Sequence, residues 1–423
     1  MNPLSEADVY RGYEALLGLP DKERGGADLL GWDPRRMRRW LGRLGDPQLQ
    51  LRCTLVAGSK GKGSTAAMLE AMLRAAGRRT GLYAQPHLHR YAERIRVDGR
   101  PLTPPASRAA LDHVLGLAPG PVTAFEAATA AALWVFARSR VQDAVLEVGF
   151  GGRLDAVAEA DPAVVLMASL ESEHVDLLGP TLADVAAHDL ALCRYGRVCW
   201  SVPQPPPVDR WWADRLRAQA VDGGVVSPPE VLVGGRVRLR TPAGAVDAGL
   251  RLHGAFQRVN AALAAAGAAS LGVGPGAMAG GLEAVSWPGR FECVSDRPLV
   301  VVDGAHTPAS AQALAAAVHS LVGPRGRVAL VAGMLSDKDA VGFASALRVL
   351  CARTVTVAPR HPRALDADVL ARAFGSGAEP APDLEAAMAL ARAWAGADGL
   401  VLVAGSLHLA AEARLVCGQS ACV

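Results

Sequence analysis

The sequence predicts an α/β fold of two domains, the first built on a mostly parallel sheet. Two observations support this prediction. From residue 53 to about residue 200, and again from about residue 297, short apolar runs that fit buried strands alternate with helical patterns. This order is typical of parallel sheets with helices between the strands. In addition, a glycine-rich turn joins the first strand to a helix, as in a phosphate-binding loop. We expect a phosphate-loop domain at residues 1–286 and a smaller α/β domain at residues 287–423.

In the first domain, strands and helices follow one another closely along the chain. Residues 1–50 have an amphipathic helical pattern, and Arg36–Leu44 is the last helix before the glycine-rich turn. The predicted strands are Thr54–Ala57, Arg79–Ala84, Ala144–Val148, Val164–Ala168 and Arg197–Val202. The predicted helices between them are Ser64–Ala76, Ser107–Leu115, Phe125–Ser139 and Leu182–Leu192. After a proline-rich break at 204–207, residues 225–252 alternate like a small antiparallel sheet, and Gln257–Ser270 fits an alanine-rich helix.

The second domain repeats the alternation from near Arg297, after a glycine-rich segment, Gly272–Pro288, that marks the boundary. The predicted strands are Leu299–Val302, Val328–Ala332, Thr354–Ala358 and Gly399–Val403. The predicted helices are Ser310–Leu321, Ala340–Ala352, Ala367–Ala373 and Leu384–Ala393. Ligands of such folds bind beyond the carboxyl ends of the strands. A cleft between the domains would therefore suit a reaction of two substrates.

Composition excludes several classes of protein. With 51% hydrophobic and 20% charged residues, the chain can bury a large core. A net charge of +3 is too small to argue for binding to nucleic acid. The N-terminus does not have the order of a signal peptide, and no apolar run is long enough to cross a membrane. The seven cysteines have no metal-binding or disulfide spacing, so we expect a cytoplasmic protein, and we expect it to be a monomer.

The glycine-rich turn carries the strongest chemical signal in the chain. Its glycines allow the backbone to bend sharply and to direct N–H groups at an anion. Lys62 would supply a positive charge for the terminal phosphates, and the Ser64 hydroxyl would reach Mg²⁺. The spacing differs from G-x-x-x-x-G-K-[ST], because Val56 occupies the first glycine position and Gly63 separates the lysine from the serine. The alternative is an ordinary turn between strand and helix. We interpret the turn as an ATP site whose binding residues are Gly58, Gly61, Lys62, Gly63, Ser64 and Thr65.

Two further residues of the first domain are candidates for metal binding. Glu147 ends an apolar strand next to another glycine turn, which is where a Mg²⁺ ligand is expected opposite a phosphate loop. His174 follows the predicted strand Val164–Ala168. A strand-end glutamate and a lone histidine are also common structural residues. The predicted metal ligands are Ser64, Glu147 and His174.

The second domain places polar residues at its own strand ends. Asp303 and His306 follow the strand Leu299–Val302, where they could contact a ribose or a substrate, although an aspartate that caps a helix is the alternative. Lys338 follows the next strand, and taken alone it fits a solvated surface charge better than a binding residue. Arg290 lies at the domain junction, where a cation could reach a γ-phosphate once the domains close.

A series of short motifs runs in order along nearly the whole chain. The turn Gly58–Ser64 is similar to Gly-Thr-Asn-Gly-Lys-Gly-Ser, and Glu147–Asp155 is similar to Glu-Val-Gly-x-Gly-Gly-Arg-x-Asp. The other segments are Pro86–Leu88, Glu93–Gly99, Thr123–Glu126, Leu178–Leu182, Gly254–Ala261, Trp287–Arg290, Asp303–His306, Asp337–Asp339 and Gly405–Leu407. Together they resemble the folylpolyglutamate synthase/dihydrofolate synthase family of the Mur ligase superfamily.

The resemblance implies an ATP-dependent ligase that joins L-glutamate to dihydropteroate or a reduced folate. The substrate carboxylate would attack ATP to give an acyl phosphate, which the glutamate amine would then attack. It implies a first domain like the Mur ligase central domain and a Rossmann-like second domain that closes over ATP and glutamate. The catalytic residues would be Lys62, His174, Arg290 and His306, with Mg²⁺ as metal. Asn260, Arg290 and Asp303 would join the phosphate loop in binding ATP.

The chain departs from the family pattern at two informative positions. Asp189 occupies the position of a family lysine that is carbamylated to hold a second Mg²⁺, so either that metal is absent or a water bridges to it. Gln85 occupies the position of a family serine, which indicates an altered pterin side. Three hypotheses therefore remain: a folate-pathway ligase, a ligase with another carboxylate acceptor, and a non-catalytic relative that binds nucleotide or pterin. The choice between dihydrofolate synthesis, polyglutamate extension and both also stays open.

Overall fold

The computed structural model describes residues 5–21, 33–172, 178–194, 197–323 and 326–421. These residues form two compact units. The large unit consists of Ser5–Arg251 and Gln257–Ser286, and the small unit of the described residues of Leu252–Phe256 and Trp287–Cys422. None of the helices within the described ranges is long and apolar enough to cross a membrane.

The large unit contains an eight-stranded sheet with helices packed against it. Its strands are β1 Arg52–Ala57, β2 Thr80–Tyr83, β3 Ile95–Val97, β4 Arg100–Pro101, β5 Asp143–Glu147, β6 Val164–Met167, β7 Val198–Ser201 and β8 Asp222–Val225. The strand order is β4-β3-β2-β5-β1-β6-β7-β8, and the six strands from β2 to β8 are parallel. A separate antiparallel sheet is formed by β9 Glu230–Val231, β10 Val237–Thr241 and β11 Gly244–Ala248.

The described helices of this unit begin and end as follows: α1 Glu6–Val9, α2 Pro34–Arg43, α3 Lys62–Ala75, α4 Pro104–Gly116, α5 Ala124–Arg138, α6 Leu182–Leu190, α7 Val208–Ala218, α8 Ala255–Ser270 and α9 Pro275–Ala284, with α8 starting in the small unit. Helix α3 is buried along most of its length because it covers the centre of the sheet. Trp40 shows how the outer helices are attached: it is fully buried, and its indole N–H donates to the carbonyl of Val114, 2.8 Å away. This bond joins α2 to α4.

The small unit is a six-stranded sheet in the order β12-β13-β17-β14-β15-β16. Its strands are β12 Glu292–Asp296, β13 Leu299–Val302, β14 Val328–Ala332, β15 Arg353–Thr356, β16 Ala378–Pro380 and β17 Leu400–Ala404. All neighbours are parallel except β12 and β13. The central strands are uninterrupted apolar runs because both of their faces are buried. The helices are α10 Pro308–Val322, α11 Ala340–Leu347, α12 Ala367–Phe374, α13 Leu384–Ala395 and α14 Leu407–Val416.

The predicted α/β architecture, with a large parallel sheet and a second sheet, is confirmed. Several details were wrong or missed, among them the short strands β3, β4, β8 and β16, which were not predicted. Helix α9 lies within the glycine-rich segment Gly272–Pro288, where no helix was predicted. The predicted helix Ala340–Ala352 ends at Leu347, after which the chain turns into β15. The second sheet begins before Arg297 with the antiparallel strand β12, and helices α7 and α14 were not predicted.

Candidate functional site

The glycine-rich turn and Glu147 lie at the same edge of the large sheet. Strands β1 and β5 are parallel neighbours, and their register pairs Val56 with Glu147. Both strands therefore end at this level, so the turn that follows β1 starts beside the Glu147 carboxylate. Strand β6, on the other side of β1, ends here as well, since Ala57 pairs with Met167. The structure thus brings together the two segments to which the sequence assigned phosphate and metal binding.

The turn has a backbone that only glycine can adopt at two points. Gly58 and Gly61 have φ angles of +114° and +88°. A Cβ on Gly58 would lie 2.8 Å from the carbonyl oxygen of Ala168, and one on Gly61 would lie 2.4 Å from Oδ1 of Asn260. Both glycines are therefore required by conformation and by space. Helix α3 begins immediately afterwards at Lys62, so its first N–H groups face the turn and favour an anion.

Lys62 is held at the turn in a bent conformation. Its Nζ donates to the carbonyl of Gly58 at 2.7 Å and more weakly to that of Ser59 at 3.4 Å. An ammonium group has three donors, and these two carbonyl contacts keep it beside the N-terminus of α3. A phosphate bound in the turn would lie close to this charge.

Helix α8 supports the turn from one side. Gln257 Nε2 donates to the Ser64 hydroxyl at 3.2 Å, and Asn260 Nδ2 donates to Gln257 Oε1 at 3.0 Å. All three side chains are buried. Asn260 was a predicted binding residue, and the structure places it against Gly61. Gln257 was part of a family motif but had been assigned no role, and only the packing of α8 on the turn reveals one.

The hydroxyl of Thr65 is a buried polar atom without a partner. Its Oγ1 makes no hydrogen bond within the described part of the chain, and the residue is fully buried. A buried hydroxyl without a partner costs free energy unless a ligand or water completes it. The first turn of α3 therefore has hydrogen-bonding capacity to spare beside Ser64.

The oxygen atoms near the turn fit a magnesium ion. Glu147 is 4% exposed, and its Oε2 accepts the backbone N–H of Gln85 at 3.0 Å. The carboxylate therefore has a fixed direction at the end of β5. A carboxylate and a serine hydroxyl are hard oxygen ligands of the kind that Mg²⁺ prefers, so Glu147 and Ser64 fit the metal. The third predicted ligand, His174, lies outside the described residues.

Asp155 organises the glycine turn that follows Glu147. Its Oδ2 accepts the N–H groups of Gly149 and Phe150 at 2.7 and 2.9 Å, and its Oδ1 accepts that of Val157 at 3.0 Å. Burial raises the pKa of Asp155 to about 7, against the effect of these backbone hydrogen bonds, which favour the charged form. The side chains of Gln85 and Phe125 also lie within van der Waals reach of Gly149. Gln85 thus contacts the Glu147 carboxylate through its backbone and the glycine turn through its side chain.

In the small unit, the buried Asp303 lies near the partly exposed Arg290 at the end of β13. Asp303 accepts the N–H of Phe291 at 2.8 Å and that of Ala305 at 2.7 Å. Burial raises the pKa of Asp303, whereas the nearby charge of Arg290 lowers it. The aspartate therefore holds the segment that carries Arg290 against the end of the strand, and it does not simply cap the next helix. That helix, α10, is capped by Thr307.

The loop around Arg290 is fixed from its other side by an ion pair. Glu292 Oε2 accepts the N–H of Gly289 at 2.7 Å and binds Nε of Arg414 at 2.9 Å. Arg414 belongs to α14 and is 6% exposed. Close by, Nδ1 of His306 lies 2.8 Å from the carbonyl oxygen of Gly304, which can only accept, so this contact favours the tautomer with the proton on Nδ1. Arg290, Asp303 and His306, three of the predicted site residues, thus lie on neighbouring segments of the small unit; their roles stay predictions.

Basic side chains converge at the carboxyl ends of β14, β15 and β17. Lys338 Nζ lies 2.9 Å from Asp337 Oδ2, and Arg363 Nη1 lies 3.6 Å from Asp337 Oδ1. The rings of His361 and His408 have centroids 4.3 Å apart. The sequence analysis considered only Lys338. The basic run from Arg360 to Arg363, directly after a predicted strand, was the signal for the others.

Comparison with known proteins gives consistent results for both units. The Mur ligase glutamate ligase domain matches residues 289–407. A probable bifunctional folylpolyglutamate synthase/dihydropteroate synthase of Haloferax volcanii is 37% identical over 400 residues, covering 89% of this chain and 47% of that protein. The chain thus spans about half the length of this archaeal relative and of a similar one from Halobacterium salinarum.

Two other proteins are matched over most of their length. The dihydrofolate synthase/folylpolyglutamate synthase of Escherichia coli is 33% identical over 390 residues, which cover 84% of each chain. The crystal structure of the bifunctional folylpolyglutamate synthase/dihydrofolate synthase of Yersinia pestis, complexed with AMPPNP and Mn ion, is similar with a TM-score of 0.84. The two chains are 28% identical, and the match covers 98% of this chain and 99% of that one.

Proposed function

The chain belongs to the folylpolyglutamate synthase/dihydrofolate synthase family, and from this premise we propose that it is an ATP-dependent ligase that joins L-glutamate to a pteroate or folate carboxylate. The predicted family membership is thereby confirmed. The observation that carries the proposal is the register of β1 and β5, which sets the phosphate turn beside Glu147. A phosphate-binding turn next to a carboxylate is the minimum that a reaction at the γ-phosphate of ATP requires.

The proposed reaction joins two anions in its first step. The acceptor carboxylate attacks the γ-phosphorus of ATP, the bond from that phosphorus to the β,γ-bridging oxygen breaks, and ADP leaves. Carboxylate and triphosphate repel each other, so positive charge and N–H groups must offset the repulsion. Lys62 and the first N–H groups of α3 supply both at the turn. A Mg²⁺ ion held by Ser64 and Glu147 would neutralise phosphate charge.

In the second step, the amine of L-glutamate attacks the carbonyl carbon of the acyl phosphate, and phosphate leaves as the amide forms. The amine loses a proton during this step, so a base or water must accept it. Of the predicted catalytic residues, Arg290 and His306 belong to the small unit, and we propose them as groups that act on the reacting phosphate and the amine. The converging cations Lys338 and Arg363 suit the carboxylates of the incoming glutamate.

The experiment that tests this function is ADP release by the purified protein with ATP, Mg²⁺, L-glutamate and one acceptor at a time. Dihydropteroate tests dihydrofolate synthesis, and tetrahydrofolate tests polyglutamate extension. We expect ADP release to depend on both glutamate and acceptor and to be lost in Lys62→Ala. Arg74→Ala, in the last turn of the same helix, is the matched control and should retain activity, because Arg74 lies at the opposite end of α3 from the turn, where it pairs with Glu70.

The panel also distinguishes the other hypotheses. Release with a different carboxylic acid, and with neither pterin compound, would identify a ligase with another acceptor, which the substitution at Gln85 makes worth testing. Nucleotide binding without turnover on any acceptor would indicate a non-catalytic relative. The cytoplasmic location and the monomeric state stay predictions.

A further inference from the structure

Asp189 is a fully enclosed carboxylate close to the phosphate turn. It lies on α6, and 4% of its surface is exposed. Among the described residues, none of the cations forms a salt bridge with it. A carboxylate in such a position loses its hydration, which is unfavourable unless other groups replace the lost hydrogen bonds. The groups that contact Asp189 therefore indicate the role of its carboxylate.

Two backbone segments of the site provide those contacts. Oδ1 of Asp189 accepts the N–H of Gly152 at 2.8 Å. Gly152 belongs to the glycine turn after Glu147. The backbone N–H of Gly58, the first glycine of the phosphate turn, also faces the carboxylate and lowers its pKa. One side chain of α6 thus joins the phosphate turn to the glycine turn.

The third partner of Asp189 is the charge of Lys62. Burial raises the pKa of Asp189, whereas the N–H groups of Gly152 and Gly58 and the positive charge of Lys62 lower it. Lys62 itself is bent back onto the carbonyls of Gly58 and Ser59. The carboxylate thus stabilises the lysine near the turn through the electric field, without a direct ion pair that phosphate would have to break.

We propose that Asp189 is a positioning residue, which fixes the phosphate turn and the glycine turn in the arrangement that binds nucleotide and keeps Lys62 directed at them. The loop backbone and the lysine then need little rearrangement when the triphosphate arrives, and this lowers the cost of binding. The sequence left two alternatives for Asp189, namely that the second metal is absent or that a water bridges to it. The proposed role differs from both, because the carboxylate contacts backbone amides of this chain. The proposal rests on the proposed function only in requiring that nucleotide binds at this turn.

The test compares Asp189→Asn with the unmutated protein in calorimetric titrations with ADP and Mg²⁺. The side-chain oxygen of an asparagine can accept one of the two N–H groups. Its NH₂ group would then face the other N–H, and two donors cannot form a hydrogen bond. The substitution also removes the negative charge near Lys62. Loss of a hydrogen bond to a charged group predicts that nucleotide affinity falls by about 10- to 100-fold. The Mg²⁺ concentration for half-maximal activity, measured at saturating nucleotide, should stay the same.

A variant on the same helix provides the control. Asp184 lies one turn earlier on α6, where it caps the helix through Thr181 with Oδ2 2.6 Å from the hydroxyl. Asp184→Asn should lower the melting temperature through the weaker cap, yet leave the nucleotide affinity within about twofold of the original, because α6 still presents Asp189. If Asp189→Asn does not fold, Asp189→Ser, which keeps one acceptor oxygen and removes the charge, is titrated in its place.

Two results would overturn the proposal. One is a nucleotide affinity that stays unchanged in Asp189→Asn or falls equally in Asp184→Asn. The other is a variant whose nucleotide affinity is kept while the Mg²⁺ requirement rises, which would make Asp189 a metal ligand. Failure of the folate ligase function has a different signature, because the unmutated protein would then bind nucleotide but release no ADP with pterin acceptors.

Discussion

Helix α9 packs closely against α3, the helix that follows the phosphate turn, at Gly281. A Cβ on Gly281 would lie 2.5 Å from both N and Cα of Met72, which belongs to α3. Non-bonded carbon atoms prefer separations of about 3.5–4 Å, so Gly281→Ala must move the two helices apart by about 1 Å. Rotating a side chain cannot relieve this contact, since the opposing atoms belong to the backbone.

The neighbouring glycine offers a matched control. A Cβ on Gly280 would meet no atom within 4 Å, although it lies on the same helix. Alanine in the interior of a helix is more stable than glycine by about 0.5–1 kcal/mol, so Gly280→Ala should raise the free energy of unfolding by that amount. Overpacking costs about 1–3 kcal/mol. Gly281→Ala has this overpacking cost and also gains the helix stability that alanine brings. The difference predicts that it lowers the free energy of unfolding by up to about 2 kcal/mol.

Denaturant unfolding of the two variants measures this difference, and titration with ADP and Mg²⁺ measures its effect on the site. We expect weaker nucleotide binding in Gly281→Ala only, because a shift of α3 moves the first turn of the helix, which starts at Lys62. Equal stabilisation by the two alanines, with nucleotide affinity preserved in both, would refute the reasoning.

Three further predictions follow from the contacts of the site. Folding raises the pKa of Asp155 from 3.8 to about 7, so the stability it contributes is complete below pH 3.8 and is lost as the pH rises through about 7. Asp155→Asn should therefore remove a pH dependence of the free energy of unfolding of up to about 1.4 kcal/mol per pH unit between these values. The same pH dependence in denaturant unfolding of the variant and the original would contradict this prediction. Gly61→Ala should abolish nucleotide binding in calorimetry because its Cβ would lie 2.4 Å from Asn260 Oδ1; measurable binding would contradict it. Glu292→Gln weakens the bond to Arg414 that holds the Arg290 loop and should slow acceptor-dependent ADP release by about tenfold; an unaltered rate would show that the loop needs no such support.

Much of the fold could be predicted because local patterns and tertiary structure agree. The strand Val328–Ala332 was predicted with its observed bounds, since a parallel strand buried on both faces is an uninterrupted apolar run. Helix α9 was missed because glycine normally indicates a loop. Here Gly281 allows close packing against the backbone of α3. The composition that concealed the helix is thus a consequence of where the helix packs.

The candidate site was predicted only in part, because some of its residues follow local patterns and others depend on how distant segments pack. The phosphate turn and Glu147 are local signals at strand ends, and parallel pairing of β1 with β5 brings them together. Gln257 had no such signal, because its contact with Ser64 arises only when α8 packs on the turn. The role of Asp189 also depends on contacts with two distant loops. Helix spacing along the sequence gives no information about such contacts.

The most direct test of the central claim is a crystal structure of the protein with AMPPNP and Mg²⁺. The account predicts that phosphate oxygens lie at about 2.7–3.2 Å from Nζ of Lys62 and from backbone N–H groups of the turn, with the metal bound by Ser64 and Glu147. A triphosphate bound away from Gly58–Ser64 would contradict the account, as would a turn whose N–H groups point away from the nucleotide.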